Sequence, residues 1–201
     1  MLASKESALT RDSRGRPTIE AEINGKGPFR MVVDTAAQTS LLTPALVDEL
    51  GLPAIGEMGV GGVAGQQQAA LYGVDRFKTA LFDRTAVGMI AMPNATVTEA
   101  RGIVGMEVFT QDRVVFDNAA KRLSIEPSGI PKTGFVSVAG RLNDSGLLEV
   151  PVDIDGPWRT MDLFDLVQTA AALGPTVRSV YLLRAAQILC DRPVGGHAPS
   201  A

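Results

Sequence analysis

The residues best suited to chemistry lie in one stretch, Val32-Val33-Asp34-Thr35-Ala36-Ala37-Gln38-Thr39-Ser40, where an apolar strand runs into a carboxylate. A loop of small and hydroxyl-bearing residues follows it. A carboxylate at a half-buried strand end loses solvation, which disfavours its charged form, while nearby amides and hydroxyls fix its orientation. One such Asp alone is an ordinary turn residue. Two of them about 3 Å apart cannot both ionise, so the pair shares a proton. The ionised member then takes a proton from water while the neutral one donates to a carbonyl oxygen. The remaining composition narrows the chemistry toward such groups. The chain of 201 residues has one His and one Cys, and both, His197 and Cys190, fall near its end. A Cys/His zinc site or a Ser/His/Asp triad in the body of the fold is close to excluded. A single thiol also forbids an internal disulfide.

Hydrophobic residues make up 45% of the chain and charged ones 20%, a globular balance. The formal net charge is −3 and aromatic residues make up 5%, so neither a basic face nor stacking platforms for nucleic acid are expected. No apolar run is long enough to span a membrane. Met1 to Pro17 is polar and lacks a stretch of signal-peptide length. A cytoplasmic location is expected from this, or a periplasmic or secreted one if a leader has been removed.

The elements that must position Asp34 are readable on either side of it. Thr18 to Ile23 alternates apolar and polar residues as a strand with one buried face does. Asn24-Gly25 is a hairpin turn, and Phe29 to Val33 is its second strand. Leu41 to Leu50 reads as a short helix opened by Thr43-Pro44 and stopped at Gly51. Gly56 to Gly65 holds five glycines, reads as a mobile hairpin, and is followed by a strand from Ala69 to Phe77. Lys78 to Met92 continues as short β segments. Gly102-Ile103-Val104-Gly105-Met106 is a tight apolar stretch, and Arg113 to Asp117 with Arg122 to Ile125 forms a closing hairpin. Short strands with turns about every ten residues predict an all-β barrel up to Ile125. Glu107, Asp112 and Asp117 read as solvated or turn carboxylates, Cys190 as a core residue, and His197 as solvent-exposed.

Residues 1–16 are expected to be a flexible N-terminal segment, 17–130 the barrel domain, and 131–201 a linker with a partial second repeat and a helical tail. Met161 to Leu173 and Val177 to Leu189 read as helices. Ile19 to Gly25 and Pro28-Phe29-Arg30 are echoed by Val150 to Gly156 and Pro157-Trp158-Arg159, with a two-residue deletion at the turn. That alignment sets Asp34 against Leu163, with Asp162 one position short. Only 39 residues follow Asp162, too few to repeat the elements that run from Asp34 to Ile125.

Val32-Val33-Asp34-Thr35-Ala36-Ala37 resembles the active-site signature of the retropepsin-like aspartic proteases, particularly their bacterial relatives. Gly102 to Met106 resembles that family's second signature, an apolar pair followed by Gly. The resemblance spans roughly Pro17 to Pro127 and implies a retropepsin-like acid-protease lobe, all-β, with a partly helical C-terminal extension. It implies an aspartic endopeptidase acting on peptide or protein substrates without metal or cofactor. Asp34 would be the catalytic carboxylate, Thr35 the hydroxyl bracing two paired loops, and Ala36 the residue at the family's usual Gly position. Were φ positive there, the methyl would cost on the order of 1 kcal/mol. Gly59, Val60, Gly61, Gly62 and Val63 would form the flap over the substrate, and Ile103, Val104 and Gly105 would support the catalytic loop. Since each lobe of the family gives one Asp, a homodimer pairing Asp34 with its symmetry mate is expected. Asp162 or Asp165 acting within the chain is the lesser alternative, and a peptide-binding module without hydrolysis is the competing function.

Overall fold

The computed structural model describes residues 5–62, 65–92, 99–109 and 112–127, together with six strands of the C-terminal part. Strands β1 (Lys5–Ala8) and β2 (Thr10–Arg11) lead into the hairpin of β3 (Pro17–Ile23) and β4 (Lys26–Val33). Next come β5 (Leu41–Leu42), helix α1 (Pro44–Leu50), β6 (Ala54–Gly62), β7 (Gly65–Thr79) and β8 (Asp83–Ala91). After these, β9 (Gly102–Val104) runs into a 3-10 turn over Met106–Val108, then β10 (Asp112–Asp117) and β11 (Arg122–Pro127).

Local sequence accounts for several of these elements. Asn24 and Gly25 both have positive φ (50° and 75°), the conformation a two-residue hairpin loop requires. Along β3, Glu20 and Glu22 face solvent while Ile19, Ala21 and Ile23 are buried. Thr43 caps α1 by accepting the Leu46 N–H at 3.3 Å, Pro44 takes the first helical position, and Gly51 ends the helix with φ 64°. The helix buries Leu46 and Val47.

Six strands close into a barrel in the order β3-β4-β9-β5-β8-β7, with β7 pairing back onto β3 through Ala21↔Thr79, Glu22↔Lys78 and Ile23↔Phe77. This is the all-β barrel the sequence predicts. Its interior holds Ile19, Ile23, Met31, Phe77, Met89 and Val104, none more than 1% exposed. Phe82 packs edge-on against both Phe77 and Phe109 at 5.1 and 5.5 Å. The pairing that matters most for function is parallel: Met31↔Gly102, Val32↔Ile103 and Val33↔Val104 join β4 to β9. Within β4, Met31, Val32 and Val33 are all buried, as befits a strand with both faces covered.

A second sheet takes β1, β11 and β10, then β16 (Ser179–Leu183), β17 (Gln187–Asp191) and β12 (Phe135–Ala139). Residues 5–11, expected to be part of a flexible segment, supply β1, which pairs with β11, and β2, which pairs with β3. The helical reading of Val177 to Leu189 is corrected: β16 pairs with β10 and β17 within that stretch. A short apolar run such as Val180-Tyr181-Leu182-Leu183 fits either period, and its distant partner β10 decides the matter. Of the other expected helix, Met161-Asp162 end a strand and residues 163–173 lie outside the described residues. Residues 131–134, where the expected linker begins, also lie outside them.

The internal echo reappears in strand register. A small sheet joins β13 (Arg141–Leu142), β14 (Leu148–Val152) and β15 (Arg159–Asp162). Thr10↔Thr18 and Arg11↔Pro17 in β2–β3 have counterparts in Arg141↔Glu149 and Leu142↔Leu148, each displaced by 131 positions. In the following hairpin, Ile19↔Met31 corresponds to Val150↔Met161, a displacement of 130 on the second strand. The hairpin is therefore one residue shorter, not two. Counting on in sequence from Met161 sets Phe164 against Asp34, so neither Asp162 nor Asp165 falls at the matching position.

Gly102 marks the closest approach in the barrel. A Cβ there would collide with the Leu41 carbonyl oxygen and lie 2.6 Å from the Met31 methyl. Gly102→Ala is expected to lower unfolding free energy by about 1–3 kcal/mol in urea titration, as overpacking does. Gly61→Ala, with open space around it, should stay within about 0.5 kcal/mol of wild type.

Candidate active site

Asp34 follows β4 without a break, and its N–H donates to the Val104 carbonyl at 3.0 Å, carrying the parallel pairing one residue further. The chain then turns on itself. Ala36 N–H donates to Asp34 Oδ1 at 2.9 Å, and Ala37 N–H donates to the Asp34 carbonyl at 3.2 Å. The carboxyl group is half-buried, and loss of solvation pushes its pKa above the ordinary 3.8. The Ala36 and Ala37 amides and the charge of Arg16 pull in the opposite direction without cancelling that rise.

Arg16 comes from the segment that sequence alone leaves unstructured. Its Nε meets Asp12 Oδ2 at 2.7 Å, while Asp12 Oδ1 accepts the Arg14 and Arg16 amides at 3.0 and 2.8 Å. This turn fixes a positive charge where Asp34 feels it. The only hint in the sequence is the spacing of Asp12 and Arg16, four residues apart around Gly15.

Thr35 is 8% exposed, and its Oγ1 is buried without a hydrogen-bond partner among the described residues. Buried hydroxyls are ordinarily satisfied, so this one calls for an explanation. Ala36 carries no strain of the kind considered above. Among the described residues, the non-glycine positions with positive φ are Asn24, Ala86 and Lys121. A methyl at position 36 therefore sits in a backbone conformation open to any L-residue.

Val104 and Gly105 meet the loop directly and Ile103 lies half-buried beside them. Met106 N–H donates to the Ala37 carbonyl at 2.8 Å, and Gly105 N–H donates to Ser40 Oγ at 2.9 Å. A Cβ on Gly105 would lie 2.7 Å from the Thr39 carbonyl carbon and 2.9 Å from Ser40 N, so only glycine permits this approach. Glu107 belongs to the same knot, and its reading as a solvated carboxylate is corrected. Its Oε1 accepts the Ser40 N–H at 2.7 Å, and burial raises its pKa. Its place inside the apolar run Gly105-Met106-Glu107-Val108-Phe109 was the available signal. Asp117 accepts the Ala120 N–H at 2.8 Å, as a turn carboxylate should.

The glycine-rich segment forms the β6–β7 hairpin, with Gly59↔Gln68, Val60↔Gln67, Gly61↔Gln66 and Gly62↔Gly65 in register. Gly59 and Gly61 are exposed, and Val63 lies outside the described residues. Met58 and Val60 pack on a small cluster of Leu41, Ala69 and Ile90, which ties the hairpin to the strand leaving the Asp34–Ser40 loop. Among the described residues, no three His, Cys, Asp or Glu side chains gather where they could hold a metal ion.

The burial of Asp34 has a consequence for stability. A carboxyl whose pKa is raised on folding stabilises the fold only while protonated, and that contribution is lost as pH rises through the raised value. Asp34→Asn should therefore melt above wild type at pH 7. The gap should close below pH 3.8, where the wild-type carboxyl is protonated in both states. Calorimetry across that range checks the sign.

Residues 19–108 match the family model described as Aspartyl protease. No curated protein matches the chain. Among solved structures, a retropepsin-like aspartic protease from Rickettsia conorii is 16% identical, with 61% of this chain and 91% of that one covered at a TM-score of 0.45. EIAV protease in complex with the inhibitor HBY-793 is 25% identical over 50% of this chain and 90% of that one, with a TM-score of 0.40. Simian foamy virus protease is 22% identical over 45% and 89%, with a TM-score of 0.33. The matched span, just under half of the chain, opens on β3 and closes at Val108, taking in Asp34, the β6–β7 hairpin and β9, so that over residues 19–108 the chain is similar to the aspartyl protease family its signatures resemble.

Proposed function

We propose that the protein is an aspartic endopeptidase in which Asp34 of one subunit pairs with Asp34 of a second across a two-fold axis. The observation that carries this reading is Asp34 itself: a half-buried carboxyl at a strand end, oriented by the Ala36 amide and held above its ordinary pKa. Two such groups facing each other would share one proton. The ionised Asp34 accepts a proton from water as its oxygen attacks the peptide carbonyl, and the neutral Asp34 donates to the carbonyl oxygen. Collapse of the tetrahedral intermediate returns a proton to the departing amine.

Three further features support the pairing. Thr35 Oγ1, buried and without a partner among the described residues, would find one in the facing loop. Asp162 and Asp165 do not fall at the register position of Asp34. The hairpin residues Gly59 to Gly62 would close over the bound peptide as a flap, and the barrel over residues 17–130 would act as one lobe. The competing reading, a peptide-binding module without hydrolysis, draws on Ala36 at the family's usual Gly position, and the φ there, which is not positive, removes the strain that would have favoured it.

Asp34→Asn should reduce cleavage of an unfolded protein at acidic pH by about 10²–10⁴-fold, the range expected for a lost general acid-base group. Wild-type cleavage should also be blocked by an aspartic-protease transition-state analogue. Undiminished turnover in Asp34→Asn would overturn the assignment. Mixing tests the pairing: with exchanging subunits and fixed total protein, an equimolar mixture of wild type and Asp34→Asn should retain about a quarter of the activity. Retention of about half would mean that each chain works alone.

A further inference from the structure

Glu107 is the second carboxyl group built into this end of the barrel, and no step of the proposed hydrolysis uses it. It sits on the 3-10 turn directly after β9, two residues past Gly105. Ser40, the last residue of the catalytic loop, is fully buried and commits all of its polar groups. Its N–H donates to Glu107 Oε1 at 2.7 Å, its carbonyl accepts the Ile90 N–H at 3.2 Å, and its Oγ accepts the Gly105 N–H at 2.9 Å. The Ser40 side chain also draws the Glu107 pKa down against the rise from burial. Glu107 Oε2 is buried and has no hydrogen-bond partner among the described residues. The glycine between them cannot be widened, because a side chain at position 105 would strike the Thr39–Ser40 backbone.

A loop needs both ends held if a side chain at its start is to keep its aim. The near end is fixed by the Asp34 N–H on Val104 and the middle by the Met106 N–H on Ala37. The far end, Ser40, is held to the 105–107 segment by Gly105 and Glu107. We propose that Glu107 is the positioning residue of the catalytic loop: by accepting the Ser40 N–H, it locks the Asp34–Ser40 loop against β9 and so sets the aim of the Asp34 carboxylate. Burying a carboxyl group is costly unless it is hydrogen-bonded. A side chain that bears this cost while bonding to one end of a seven-residue loop is well placed to hold that loop.

The kinetic part of this inference rests on the endopeptidase reading; the structural part does not. The test uses amide hydrogen exchange by NMR on the full chain. In Glu107→Ala, the Ser40, Gly105 and Met106 amides should exchange about tenfold faster or more, while the Val114 and Phe116 amides of β10 change less than about twofold. Glu107→Gln keeps an oxygen acceptor at the same reach and should restore most of that protection. Should Glu107→Ala fail to fold, Ser40→Ala, which removes only the hydroxyl link, should speed exchange at Gly105. In kinetics, Glu107→Ala should lower kcat about tenfold or more with KM within about twofold, and Glu107→Gln should recover most of the loss. Unchanged exchange in Glu107→Ala would overturn the proposal, and so would a Glu107→Gln variant as impaired as Glu107→Ala. If wild type shows the expected exchange pattern but cleaves nothing, the endopeptidase reading falls and the positioning role stands.

Discussion

The site depends on one backbone contact, the parallel pairing of β4 with β9. Parallel neighbours point the same way, so both strands end at the same edge of the barrel. Asp34 leaves β4 while Gly105 leaves β9, and the two departing loops must pack on each other. Gly102 and Gly105 make the approach possible, since side chains at either position would strike backbone. From this contact follows the half-burial of Asp34, and from that its reluctance to ionise. The barrel closure through β3 and β7 keeps β4 central and dry. Without it, the carboxylate would be an ordinary turn residue in water.

Two polar groups stand out as costly in a single chain. Thr35 Oγ1 is buried and unpartnered among the described residues, and Glu107 Oε2 is likewise. Folds tolerate few such groups, and those that persist mark a function or a missing partner. The two have different physical explanations here. Thr35 lies beside Asp34 in a loop proposed to face its symmetry mate, so a second subunit would satisfy it. Glu107 lies behind the loop, where its other oxygen already works on Ser40. On the proposed pairing, one group looks outward to a second subunit and the other inward to the loop it holds.

Much of the barrel was legible because its signals are local. Asn24-Gly25 specified a hairpin, Thr43-Pro44 and Gly51 bracketed a helix, and an apolar strand ending in Asp-Thr pointed to the site. What escaped the sequence was decided over long separations. Glu107 is half-buried because it bonds Ser40 at the far end of the loop, not because of its sequence neighbours. Arg16 acts on Asp34 only because the Asp12 turn folds it into place. The stretch around Val180 to Leu183 reads equally well as helix until β10 supplies a pairing edge. The echo of β3–β4 in β14–β15 is visible in the sequence, but residue similarity suggests a turn two residues shorter where strand register makes it one.

The most direct test of the account is the ionisation of Asp34, followed through its carboxyl carbon by NMR as pH is raised. If the strand-end carboxyl is desolvated as described, the last Asp34 proton leaves above the ordinary midpoint of 3.8, whether the group stands alone or shares a proton across a dimer. Complete ionisation of Asp34 below that value would contradict the account, since a fully solvated carboxylate could not play the proposed part.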